Sequence, residues 1–437
     1  MRFHRFIRQA FRGLVFGVAL ATAGMAPAND WPHWRGPNHN GTADATNLPG
    51  AWTQDNILWK TPMPGQSSAS PIVVGERIFC VSNSADMKSL LGLCFNRDTG
   101  ALLWEKTFVK DAEQPRRNTL ASPSPVSDGT TVYFMFGTGD LIASDFDGNV
   151  KWSKNLVAEY GPINQQFGYS STPLFFKGKL YIAIMRGQWE RRELEEFTDE
   201  TSHILCLDPA DGKEVWKAHR SSDGGDEAFD SYSSPMPYEF GDTAAILSQG
   251  GNYVIGHDAT TGKELWRQNH NPEKGKMWRL IPSPMAAGEY VIGVQPRGQA
   301  AFAILPQPGK SFAYTESHWI YDEKTTDVPN PIFYKDRVIL LNDVQGKVFC
   351  LDVKTGAPAW LGDLEADSRI WSSPVVADDK MYVMTESGQV ITAGIGDGLT
   401  ILSRNNLGGH ECKSTPAIAH GKLFIRTSDT LYCIGNK

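Results

Sequence analysis

Apolar residues along this chain fall in short runs, not in helical stripes. Arg337-Val338-Ile339-Leu340-Leu341 and Val348-Phe349-Cys350-Leu351-Asp352 are typical, each bounded by Gly, Asp, Asn or Pro. Such runs predict buried strands joined by tight turns. A Ser-Pro or Thr-Pro step, or Asn330-Pro331 in one case, opens each group of runs, as in Ser70-Pro71-Ile72-Val73-Val74-Gly75. Counterparts start at Pro125, Pro173, Pro235, Pro284, Pro331, Pro374 and Pro416, spaced 42 to 62 residues apart. That period suits four-stranded blades of a propeller. Each unit reads as strand A after the Pro, a turn, strand B, a loop, strand C, a Gly turn and strand D. Pro is tolerated at a strand's first residue because no ladder hydrogen bond is lost there.

The C–D turn carries its own pattern. Asp352-Val353-Lys354-Thr355-Gly356 leads to Trp360, and four further copies place Trp four residues after Gly: Gly100/Trp104, Gly148/Trp152, Gly212/Trp216 and Gly262/Trp266. Gly supplies the positive φ of a hairpin turn. The fixed offset puts every Trp on the same face of its strand. No single unit can bury its indole, but stacked neighbours can. Gly309 and Gly398 break the rule, with Ala313 and Leu402 in the Trp slot.

These residues resemble the motif Asp/Asn-x-x-Thr/Lys-Gly-x-x-x-Trp of the pyrroloquinoline-quinone-like (PQQ-like) repeat β-propellers. The resemblance covers nearly all of the chain after its first residues. It implies an all-β, eight-bladed β-propeller of four-stranded antiparallel blades. The last blade lacks a strand D, because the chain ends four residues past Cys433. Ile57-Leu58-Trp59-Lys60 has the strand D pattern, so an N-terminal strand is expected to complete that blade and close the ring. Trp31-Pro32-His33-Trp34-Arg35-Gly36-Pro37 resembles the leader of exported members and is expected to cap the propeller body. The whole of 29–437 then forms one propeller, with 29–65 as leader and closing strand.

Residues 1–28 read as a signal peptide. Arg2, Arg5, Arg8 and Arg12 precede an apolar stretch from Gly13 to Gly24 and an Ala26-Pro27-Ala28 cleavage signal. No Cys follows for lipid attachment, and the stretch is too short to span a membrane. A periplasmic or secreted monomer is expected. Removing four Arg and no acid takes the formal charge from −7 to −11, which argues against nucleic-acid partners. Of six Cys, Cys94, Cys206, Cys350 and Cys433 recur at one strand C position and read as buried apolar residues. Cys80 and Cys94 lie on neighbouring strands, which leaves a disulfide between them open.

The A–B and C–D turns are short, whereas the B–C and D–A loops are long and varied, so function is expected on the latter face. Notable loops are 105–121 with Arg116-Arg117, 153–170 with Asn164 to Tyr169, and the charged insertion 186–202. Counting back from each Pro gives a ring at the channel mouth: Asn118, Tyr169, Tyr232, Trp278, Arg279, Arg369, Trp371 and Lys413, with Gln66, Asp327, His410 and Glu411 beside them. Cations and aromatic rings together suit a small anionic or aromatic ligand.

The family resemblance also implies candidates for function. One is BamB, the lipoprotein subunit of the outer-membrane β-barrel assembly machinery, a non-catalytic scaffold that would suggest an envelope-protein partner. The other is a quinoprotein dehydrogenase using PQQ and calcium on an alcohol or sugar. Such an enzyme needs Glu, Asn and Asp oxygens around calcium and an Asp base, with vicinal Cys in the alcohol dehydrogenases. No Cys-Cys pair is present, and only Asn118 with Asp226, Glu227 and Asp230 offer a candidate oxygen set. No catalytic or metal-ligating residue is assigned, and a non-catalytic binding scaffold is the expectation.

Overall fold

The eight apolar repeats form eight antiparallel sheets in a computed structural model, which describes residues 29–115, 118–163, 165–186, 202–408 and 411–436. The expected signal peptide, Arg116, Arg117, Asn164, His410 and almost all of the 186–202 insertion lie outside the described residues. Blade 1 comprises Ile72–Val74, Arg77–Asn83, Leu90–Asn96 and Leu102–Val109, hydrogen-bonded in that order. The other blades repeat this meander, with strands A packed side by side around a central channel and strands D outermost. Blade 8 is Ala417–Ala419, Lys422–Arg426 and Thr430–Gly435, completed by Ile57–Pro62, with Trp59 opposite Cys433. The closing strand therefore falls where its sequence placed it.

The motif residues build the C–D turn. The Asp352 carboxylate accepts the backbone N–H groups of Lys354 and Thr355 and the Thr355 hydroxyl, at 3.1, 3.0 and 3.0 Å. Asn96 and Asp258 do the same in blades 1 and 4. This side-chain mimic of a backbone turn explains why Asp or Asn leads the motif. Gly follows at φ 71° in both Gly100 and Gly212. A Cβ at Gly212 would also lie 2.9 Å from the Trp152 ring of the preceding blade.

That contact is how neighbouring blades join. Trp104, Trp152 and Trp216 lie against Gly148, Gly212 and Gly262 of the following blade. Each indole N–H donates to a carbonyl of that turn, at Phe146, Pro209 and Ala259, over 2.8, 2.9 and 3.2 Å. Trp59 does the same from blade 8 to Arg97 of blade 1, at 3.1 Å. In blade 5 the slot goes to Trp319, not to Ala313 as the Gly offset suggested. The chain after Gly309 first adds Ser311–Phe312 in parallel to strand D of blade 4, and only then forms its own strand D, Trp319–Tyr321. Trp319 then packs on Gly356 and donates to Val353 at 2.8 Å.

The recurring Cys have a matching explanation. Cys94, Cys206, Cys350 and Cys433 stand directly opposite Trp104, Trp216, Trp360 and Trp59 on the paired strand, where Ala143 and Gly256 serve other blades. Small residues there leave room for the ring. Burial pushes the Cys94 and Cys350 thiols up to about 11. All six Cys are buried and free. Cys80 sits opposite Leu93 and Cys94 opposite Phe79, one step out of register. Adjacent strand positions face opposite sides of a sheet, so no Cys80–Cys94 disulfide forms.

The Ser, Thr or Asn before each landmark Pro closes a belt around the channel. The Ser70 N–H donates to Oγ of Ser124, the Ser124 N–H to Thr172, and so on through Ser234, Ser283, Asn330, Ser373 and Thr415 back to Ser70, at 2.7 to 3.2 Å. Each bond satisfies a buried N–H that a strand start would otherwise leave open.

Candidate functional site

The belt forms the waist of a cavity of about 480 Å³ in the central channel. Its upper wall comes from the D–A loops, which carry Asn118, Phe167, Tyr232, Arg279, Trp371 and Lys413, and from Glu386 of a B–C loop. Its floor is Trp34 of the leader. The leader enters from the short-turn face. The Asp30 carboxylate accepts the Gly75 N–H and pairs with His420 Nε2 at 2.9 Å. Trp31 is fully buried beside Val73. The Arg35 guanidinium donates to the carbonyls of Pro331 and Pro374, at 2.7 and 3.1 Å, on the inner strands of blades 6 and 7. Burial pulls Arg35 down to about 9. The cavity is thus blind on one side and faces the long loops on the other.

Five of the eight ring residues read from sequence line this cavity: Asn118, Tyr232, Arg279, Trp371 and Lys413. Three do not. Tyr169 is buried in the core of blades 2 and 3 and donates to the Ala183 carbonyl at 2.8 Å. Trp278 donates to His270 Nδ1 at 3.2 Å, away from the cavity wall. Arg369 is exposed above the Trp371 ring, 5.9 Å from its centroid. Gln66 lines a polar side pocket of about 50 Å³ with Glu411 and Lys413. Trp34, Phe167 and Glu386 escape the count back from Pro. Trp34 comes from the leader and Glu386 from a B–C loop, and neither has a repeat-based register to reveal it.

The charges are not free as the sequence suggested. Arg279 grips Asp327 with two parallel bonds of 3.2 and 3.0 Å. Burial works against that guanidinium, but the Asp327 carboxylate outweighs it and holds the group above its ordinary value. Lys413 pairs with Glu411 at 2.6 Å. Among the described lining residues, Glu386 is the one charged side chain without an ion-pair partner. Tyr232 and Phe167 stack at 6.2 Å, and burial raises the Tyr232 phenol. Neither the Trp34 nor the Trp371 indole N–H finds an acceptor among the described residues.

The donor set does not fit PQQ with calcium. Calcium takes six to eight oxygens, whereas among the described residues Asn118 and Glu386 are the lining side chains of the Glu/Asn/Asp class apart from the belt's Asn330. Asp226, Glu227 and Asp230 do not line the cavity, and Glu227 is held by Arg297 at 2.5 Å. No cluster of three or more His, Cys, Asp or Glu able to hold a metal occurs among the described residues.

A family model described as "Outer membrane protein assembly factor BamB" matches residues 51–189 and 200–437. The chain belongs to this PQQ-like propeller family. Solved structures agree on the fold. BamB from Moraxella catarrhalis superposes with a TM-score of 0.55 at 14% identity, over 87% of this chain and 99% of that one. A europium-containing methanol dehydrogenase gives 0.65 at 11%, over 94% and 98%. The quinohemoprotein alcohol dehydrogenase of Comamonas testosteroni gives 0.59 at 12%, over 95% and 82%. In sequence, the chain is 24% identical to a polyvinylalcohol dehydrogenase of Sphingopyxis sp. (strain 113P3) over 45% of its length. A Pseudomonas sp. polyvinylalcohol dehydrogenase is 22% identical over 37%. The matches span only 29% and 24% of those two relatives. No helix among the described residues is long and apolar enough to cross a membrane.

Proposed function

We propose that this BamB-family propeller is an exported, non-catalytic binding protein that receives a ligand or envelope partner on its long-loop face. The observation that carries this reading is the blind cavity, with the hydrogen-bonded belt at its waist, the leader below and varied loops above. Asn118, Tyr232, Arg279, Trp371 and Lys413 are its contact residues. Residues 1–28 are removed on export to the periplasm or beyond, and 29–437 remain as one propeller; N-terminal sequencing of the native protein should read from Asn29. Capture from envelope extract tests the binding role. Bound material should fall at least tenfold with Trp371→Ala and be unchanged with the turn-face variant Lys335→Ala. Equal capture by both variants would contradict the reading.

A quinoprotein dehydrogenase is the second reading, favoured by the matches to polyvinylalcohol dehydrogenases. Trp34 and Trp371 both line the cavity that would take a flat quinone, but oxygen ligands for calcium are lacking among the described residues. Dye reduction in the presence of PQQ and calcium separates the two readings.

A further inference from the structure

The cavity lining discriminates among ligand classes. Seven belt hydroxyls line it, those of Ser70, Ser124, Thr172, Ser234, Ser283, Ser373 and Thr415. Each uses one lone pair to accept a backbone N–H, and none donates its own hydrogen to another of the described residues. A hydroxyl so engaged is left as a donor with one spare lone pair, except at Ser373, whose oxygen also accepts from the Asn330 amide at 3.3 Å. The waist of the cavity is therefore a convergent ring of O–H donors. Above it, the Glu386 carboxylate is acceptor-only, and Asn118 supplies both functions. Aromatic faces complete the wall.

An anion would meet the O–H donors well but would face the unpaired Glu386. Arg279 and Lys413 could serve it only by giving up contacts to Asp327 and Glu411. An organic cation would suit Glu386 and the aromatic rings but would offer the belt's O–H groups no acceptor. A neutral molecule rich in hydroxyls satisfies both layers, since each of its O–H groups both donates and accepts. Its C–H faces can lie on Trp371 and Phe167. The volume of about 480 Å³ is that of a small-molecule pocket, and the Trp34 floor admits a chain only end-on.

Resting on the binding role proposed above, we infer that the cavity takes the terminus of a neutral, polyhydroxylated chain such as a glycan end. In this arrangement Glu386 accepts from a vicinal pair of ligand hydroxyls, and the belt donates to the oxygens of the inserted end.

Isothermal titration of the mature protein with cellohexaose and chitohexaose tests this, beside 2,6-naphthalenedisulfonate as anionic probe and benzyltrimethylammonium as cationic probe. Saturable binding of a neutral hexasaccharide is expected, with little change in affinity as salt shortens the Debye length from roughly 10 to 3 Å. Glu386→Gln and Trp371→Ala should each weaken it about tenfold, or 1.4 kcal/mol, with melting temperatures unchanged for Glu386→Gln. The inference is overturned if neither hexasaccharide binds, or if either charged probe binds more tightly. Partner capture that persists without hexasaccharide binding would sink the glycan assignment and leave the binding role standing.

Discussion

Two kinds of blade junction hold this ring together, and they differ in what fills the seam. In the first kind an indole bridges to the next turn, as Trp104, Trp152, Trp216, Trp319 and Trp59 do, each with its N–H on a carbonyl. In the second kind that bridge is missing. Trp266 turns onto Gly256 of its own blade, and its N–H finds no acceptor. Between blades 7 and 8 the slot holds Leu402, and the leader fills the seam: Trp52 is buried and donates to Thr392 at 3.1 Å, while Pro49 accepts the Tyr382 hydroxyl at 2.9 Å. The difference teaches that the leader is a substitute for lost docking contacts as well as a lid on the channel. The same polypeptide that supplies the closing strand also fills the seam beside it.

Removing the leader should break this comparison most severely. A chain lacking residues 29–60 loses most of the closing strand, the channel floor and the blade 7–8 filling together, and exposes a sheet edge. It should aggregate and lose cooperative melting by circular dichroism; monomeric elution with an unchanged melting temperature would refute the closure. Next in size, Trp216→Ala should cost about 3 kcal/mol in urea unfolding, because the ring is 9% exposed and bonded. Trp360→Ala should cost less than half of that, since its ring is only partly buried and the next C–D turn glycines, Gly396 and Gly398, have nothing packed on them. Equal losses would erase the distinction between the two kinds of seam.

The belt gives a smaller effect. Thr172→Val leaves the Ser124 N–H without its acceptor and should cost about 1–3 kcal/mol. Ser170→Ala, on the cavity wall but outside the belt, should stay within about 0.5 kcal/mol. The smallest effect is electrostatic. Arg97 and then Lys422 hold the Asp98 carboxyl well below the usual carboxylate range, and the Lys422 contact crosses from blade 8 to blade 1. A depressed folded value means the contribution is present above about pH 4 and is lost as pH falls further. Asp98 is half exposed, so the gain is at most about 1 kcal/mol. Asp98→Asn should flatten the pH dependence of the melting temperature below pH 4; an unaltered slope would show that the pair contributes nothing to closure.

The architecture was legible because its signals are local and repeated: a Pro at each strand A, an Asp-capped turn and a Trp at fixed offset. The closing strand was legible too, since Leu58-Trp59-Lys60 carries the strand D pattern without a blade of its own. Ala313 was misplaced because counting from Gly309 cannot see that Ser311–Phe312 leaves to join the neighbouring sheet. The site was legible only in part. Position before a Pro fixes which loop a residue sits on but not where its side chain points, so Tyr169 went to the core while Tyr232 reached the cavity. The compensation of Arg279 by Asp327, 48 residues away, is tertiary information. So is the convergence of Trp34 and Glu386 on the same cavity.

We propose a propeller that binds without catalysing quinone chemistry. Titration of the mature protein with PQQ and excess calcium, followed by absorbance and by dye reduction with alcohols, sugars and polyvinyl alcohol, tests it most directly. No saturable, calcium-dependent quinone spectrum and no dye reduction above the protein-free rate are expected. Stoichiometric quinone uptake with calcium-dependent turnover, abolished by Glu386→Gln, would contradict it.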